Sequence, residues 1–206
     1  MIKIENVDIY GWEAAIRGAR NPMNSWDRTD TTFFNEGAPK LGPYDYRLLK
    51  NLASAGPDHG KFMRMISVTM DITCHQVWWA EFDTYKVGTI RNSCSKMHKI
   101  HVKPFELDDF SHEGCDEVSF AKKAFIEVVA ACEHLRQKFN ETHEKKYWRA
   151  LVELLPEGYN MRATISLNYQ VLKSMYHARR SHKLDEWREF CRWVESLPYS
   201  ELITDG

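Results

Sequence analysis

Long apolar runs are missing from this chain of 206 residues. No window holds the roughly 18 uninterrupted apolar residues of a membrane helix, and the polar N-terminus has no signal-peptide core, so a soluble, cytoplasmic protein without a membrane partner is expected. An excess of charge is missing too. With 28 Lys and Arg against 29 Asp and Glu, the formal net charge is −1, which offers no bulk attraction to polymeric nucleic acid. Cysteine is sparse: Cys74, Cys94, Cys115, Cys132 and Cys191 are odd in number, scattered and without a C-x-x-C pair. That argues against a disulfide framework and a zinc knuckle. His98 and His101 sit three apart but have no third ligand at a usual spacing, so no metal site is expected. There is no P-loop, Rossmann motif or Ser-His-Asp set, and no internal repeat, low-complexity tract or linker.

What is present suits one domain spanning residues 1–206. The apolar share is 43% and the aromatic share 13%, enough for a real core in a chain this long. Ile2, Ile4, Val7 and Ile9 alternate as in an opening strand. Trp12 to Ala19 reads as a short helix ended by Pro22. Residues 24–42 are polar and read as a long loop or lid. Tyr44 to Ala53 reads as a helix with Leu48, Leu49 and Leu52 on one side, closed by Gly56-Pro57-Asp58-His59-Gly60. Met65 to Val68 predicts a strand leading into a helix over Thr69 to Trp79, which Ser67 or Thr69 would cap. Phe120, Ala124, Val128, Ala131, Cys132, Leu135 and Phe139 recur at three and four, the pattern of an amphipathic helix. Trp148 to Leu155 predicts another, stopped by Pro156.

Two stretches carry chemistry. The first runs from His75-Gln76-Val77-Trp78-Trp79-Ala80-Glu81 through Thr84 and Thr89 to Arg91 and Asn92. It passes from an apolar to a polar environment and offers an amide, two hydroxyls and a guanidinium. In the second, Ile165, Asn168, Leu172, Met175 and Arg179 follow a helical repeat. Asn168 and Arg179 are eleven residues apart, about 20° in azimuth at about 100° per residue, so an amide and a guanidinium would share one apolar stripe. An arginine on such a face needs a partner, either a bound phosphate or a carboxylate.

The first stretch resembles the flavin-dependent thymidylate synthase signature H-Q-x-x-R-H-R-x-x-S-x-x-x-x-S-x-R-Y. His75, Gln76 and Arg91 match it, and Thr84 and Thr89 stand for the serines. Trp79-Ala80-Glu81 replaces R-H-R, and Asn92 replaces the tyrosine. Ala19 and Arg20 fit the family's A-R-x-S turn, with Pro22 in place of the serine. Met63 falls where the family has a glutamate, and Glu186-Trp187-Arg188 echoes its closing Q-W-E-I.

This resemblance implies an α/β (α+β) fold, with a mixed sheet and long helices, forming homotetramers whose sites draw on several subunits. It assigns deoxyuridylate (dUMP) binding to Gln76, Thr84, Thr89, Arg91 and Arg179, and a flavin contact to Asn168. Replacing R-H-R removes two cations and adds an anion where the diphosphate of FAD would lie. Flavin is therefore expected to bind weakly or not at all, leaving no required cofactor. Trp79 is a candidate for base stacking, worth about 1–3 kcal/mol in nucleic-acid systems; its alternative is a core or subunit-interface role. Three functions follow: a nucleotide-binding protein that sequesters or senses its ligand, a flavin-dependent thymidylate synthase or related pyrimidine-nucleotide enzyme, and an interaction protein. In the last, Arg91 and Arg179 would merely pair with Glu81, Asp83 or Asp185.

Overall fold

A computed structural model describes residues 1–35 and 37–205. In chain order its elements are β1 (Lys3–Tyr10), α1 (Trp12–Arg20), α2 (Pro43–Ser54), β2 (Ser67–His75), α3 (Gln76–Phe82), β3 (Ile90–Ser93), α4 (Lys96–Lys99), α5 (Glu113–Asp116), α6 (Ser119–Thr142), α7 (Lys145–Leu154), β4 (Asn160–Asn168), α8 (Tyr169–Arg179), α9 (Asp185–Glu195) and α10 (Glu201–Thr204). The strands form one sheet in the order β1-β2-β4-β3. The Tyr169 N–H donates to the Ile66 carbonyl at 3.0 Å, and the Gln76 N–H to the Glu157 carbonyl at 2.9 Å. Residue numbers thus fall on one strand as they rise on the other. The class is α/β as expected, but the sheet is antiparallel rather than mixed.

The chain forms two compact units. The first comprises Met1, Thr73–Phe82 and Asn92–Ala163; the second comprises Ile2–Ile72, Asp83–Arg91 and Thr164–Gly206. In the first, α6 and α7 enclose a core of Ile100, Cys132 and Leu151, flanked by Phe105, Val128, Leu135, Trp148, Leu155 and Tyr159. Arg136 is drawn into this unit by Glu133, whose carboxylate accepts from its Nε and from its terminal nitrogen, each at 2.7 Å. Those bonds hold the Glu133 carboxyl down at about 2. The exposed side of α6 departs from expectation: Phe120, Ala124 and Ala131 face out, while Val128, Leu135 and Phe139 are half-buried.

In the second unit, Trp12 meets Tyr169 and Tyr199 edge-on, at centroid distances of 5.3 and 5.4 Å. The loop over 24–42 is held by side chains; Glu36 lies outside the described residues. Arg20 (4% exposed) and Asp45 (0%) form a buried ion pair, with Arg20 Nε donating to Asp45 Oδ1 at 2.7 Å. The same guanidinium holds the Arg28 carbonyl at 2.9 Å, and Asp45 also accepts from the Thr31 hydroxyl at 2.6 Å. Asp30 then caps α2 from outside the helix, accepting from the N–H groups of Tyr44 at 2.9 Å and Asp45 at 3.0 Å. Partial burial would raise the Asp30 carboxyl, but these backbone donors outweigh it and leave the group below its ordinary value. Glycine is required at 42, because a Cβ there would lie 2.2 Å from the Asp30 carboxyl carbon.

Two predicted helices need correction. The segment from Thr69 to Trp79 is a strand as far as His75, and the helix begins only at Gln76. Its burial alternates: Val68, Met70, Ile72 and Cys74 are inside, and Ser67, Thr69, Asp71 and Thr73 are half-exposed. That is a period of two, favoured by β-branched residues. Likewise, Ile165 and Asn168 belong to β4 and not to the last long helix. No helix of the described residues is long and apolar enough to cross a membrane.

Candidate functional site

The predicted site residues divide between the units. Gln76 and Trp79 lie in the first; Thr84, Thr89, Arg91, Asn168 and Arg179 lie in the second. Each group is organised by its own local structure.

In the first unit, the His75 ring precedes α3 and its Nδ1 accepts from the Trp78 N–H at 3.3 Å, so the motif's histidine does a helix-capping job. The Gln76 side chain is also engaged. Its Oε1 accepts from the Lys96 ammonium, and its amide nitrogen reaches the Pro156 carbonyl at 3.5 Å. Trp79 is 2% exposed, donates from its indole to the Met161 carbonyl at 3.0 Å, and packs edge-on against Trp78 and Phe82. Base stacking would require the ring to leave that packing. Trp78, Trp79 and Trp187 are all buried. Their large rings fill the core, where burial is worth most.

In the second unit, the chain from Asp83 to Arg91 forms a turn leading into β3. The Thr89 hydroxyl donates to the Tyr85 carbonyl and closes the turn. Gly88 has φ +81, and a Cβ there would come within 3.0 Å of a Val171 methyl, so only glycine fits without strain. The same Cβ position is 3.5 Å from the Asn168 amide nitrogen, which places Asn168 beside the turn. Asn168 is not on a helical stripe with Arg179. It is the N-cap of α8, its Oδ1 accepting from the Val171 N–H at 3.0 Å. Thr84 is exposed on the turn. Arg91 donates to Asp83 at 2.6 Å, as the ion-pair alternative anticipated.

Arg179 ends α8 and is half-buried. Its Nε donates to the Tyr85 hydroxyl at 2.9 Å, and its guanidinium carbon lies 4.9 Å from the Trp187 ring centroid and 5.5 Å from that of Tyr85. The structure therefore brings Arg179 and Asn168 to the turn that carries Thr84, Thr89 and Arg91. Tyr85 was missed by the sequence reading, and Trp187 was noted only for its motif. Nothing in their spacing signals that residues 85, 179 and 187 converge.

Other chemistries find little support. Among the described residues no three or more His, Cys, Asp or Glu side chains gather as metal ligands. Burial pushes the Cys132 and Cys191 thiols up to about 11, far from a reactive thiolate. An open cavity of about 980 Å³ lies in the second unit beside Arg20, Arg28, Asp30 and Tyr44.

The fold is that of the flavin-dependent thymidylate synthases. One solved example is ThyX from Helicobacter pylori complexed with FAD and dUMP, with a TM-score of 0.72 and 16% identity over 98% of this chain and 98% of that one. A second structure of Thymidylate Synthase X from the same organism, also with FAD and dUMP, has a TM-score of 0.72 and 17% identity over 100% of this chain and 98% of that one. No protein-family model matches the sequence, and no curated protein does. At such identity the likeness establishes the fold.

Proposed function

We propose that this protein binds a phosphorylated pyrimidine nucleotide and acts by sequestering or sensing it, without ordinary flavin chemistry. The observation that carries this reading is Arg179, held by Tyr85 and Trp187 against a turn bearing Thr84, Thr89 and Arg91. The fold is one whose solved examples hold dUMP. A phosphate would take the guanidinium fork of Arg179, with hydroxyl donors from the turn. Thr89 and Arg91 would exchange their present partners, the Tyr85 carbonyl and Asp83, for phosphate oxygens.

The residues present fit FAD poorly. Where the signature has R-H-R, this chain has the buried Trp79, then Ala80 and the half-buried Glu81. One such charge pair at 4 Å is worth about 4 kcal/mol at an effective dielectric near 20, so turning cations into an anion opposes a diphosphate strongly. Met63 is fully buried, and the Asn168 side-chain oxygen already caps α8.

The test is direct. Small molecules released from the heat-denatured protein are identified by mass spectrometry, and melting temperature is followed against a nucleotide panel. Nucleotide-dependent stabilisation without flavin absorbance is expected. Stoichiometric flavin, or thymidylate formed from dUMP with reduced cofactor, would favour the enzyme reading, which draws on a likeness covering nearly the whole chain. No ligand response at all would favour an interaction protein, for which the Arg91–Asp83 pair already speaks. Homotetramer assembly is carried over from the resemblance, and a monomer by light scattering at micromolar concentration would remove it.

A further inference from the structure

We infer that Tyr85 and Trp187 are positioning residues, which fix the plane of Arg179 for recognition of an anionic group on the nucleotide. This rests on the function proposed above. A guanidinium binds a phosphate or carboxylate through a planar fork, so its use depends on the tilt and height of that plane as well as on its charge. Two contacts bear on these quantities here. The Tyr85 hydroxyl accepts from Nε at 2.9 Å, which fixes rotation about the end of the side chain. The Trp187 ring, fully buried and held edge-on by Phe190 at 5.6 Å, supports the guanidinium from 4.9 Å.

Tyr85 is itself placed from below. The Thr89 hydroxyl donates to the Tyr85 carbonyl, so the closure of the turn and the aim of the phenol are one arrangement. In the unliganded protein this hydroxyl orients the residue that orients the arginine, a bond that its single O–H gives up if it turns to phosphate. Flexible side chains lose rotamer freedom when they bind, and an arginine already held in its binding geometry loses less.

The test uses the whole chain and dUMP as probe. Wild type, Tyr85→Phe, Arg179→Met and the double variant are titrated calorimetrically, and their unliganded melts are recorded. Tyr85→Phe keeps the ring, so the unliganded melt should change little while affinity falls about three- to tenfold. Arg179→Met should fall further, and the double variant should be no weaker than Arg179→Met alone, since the orienting contact acts only through Arg179. Tyr85→Phe binding within twofold of wild type, or effects that multiply independently in the double variant, would overturn the inference alone. If wild type binds neither dUMP nor any other phosphorylated pyrimidine nucleotide, the functional reading falls and the positioning role with it.

Discussion

Arg20 and Arg179 belong to the same compact unit and have different surroundings. Arg20 is enclosed with a carboxylate, Asp45, and its remaining donors reach the carbonyls of Ser25 and Arg28. Its charge is spent on shaping a loop. Arg179 is half-buried and oriented by a phenol oxygen and an indole face. The residue type is the same, and on the function proposed above its surroundings decide whether the guanidinium serves the fold or a ligand. A buried pair repays its desolvation only while both partners are present, whereas the Tyr85 and Trp187 contacts orient a guanidinium without adding a charge of their own.

Breaking the first arrangement should have the largest effect. Asp45→Ala leaves Arg20 buried without its carboxylate and should cost about 3–5 kcal/mol of stability, read from urea unfolding. A loss below about 1 kcal/mol would mean that the pair is not what holds the loop. Next comes Arg179→Ala, expected to weaken nucleotide binding ten- to a hundredfold, at about 1.4 kcal/mol per tenfold. Arg179→Lys should restore only part of the affinity, because a point charge lacks the planar fork. Should Arg179→Ala instead melt far below wild type without ligand, and neither protein respond to nucleotides, Arg179 would join Arg20 as a structural residue.

Asn168→Ala sharpens the comparison at a neutral residue. Loss of the α8 cap should cost about 1 kcal/mol of stability. Asn168→Ser, which can still cap, should recover most of it; failure to do so would point to a different role for the amide. The smallest expected effect belongs to the exposed pair. Asp83→Asn should change stability by less than about 0.5 kcal/mol, since Asp83 is 52% exposed. It should also raise nucleotide affinity by removing a carboxylate that competes for Arg91. Weaker binding in Asp83→Asn would show that the carboxylate orients Arg91 rather than competing for it.

Much of the fold was legible where one period dominated. The helices at 43–54, 119–142 and 145–154 follow from apolar residues at three and four, and the opening strand from alternation. The reading slipped where two elements abut without a glycine or proline between them. β2 runs straight into α3 at His75/Gln76, and β4 into α8 at Asn168/Tyr169. Ile165, Leu172 and Met175 happen to fit a helical spacing, although Ala163, Ile165 and Leu167 are buried by strand alternation. The α6 stripe was legible as a pattern but not in its depth, since Phe120 is 77% exposed. The site was legible as a set of polar residues on a turn. Its arrangement was not, because Tyr85 meets Arg179 across 94 positions and no local pattern encodes that approach.

The capping of α2 by Asp30 reaches beyond stability. The carboxylate that begins the helix sits on the loop, so the loop cannot lift away without stripping two helical amides of their acceptor. Opening and helix fraying become a single event. The Tyr44 and Asp45 amide hydrogens should therefore exchange with solvent at one shared rate, a clock set by how often the whole segment lets go.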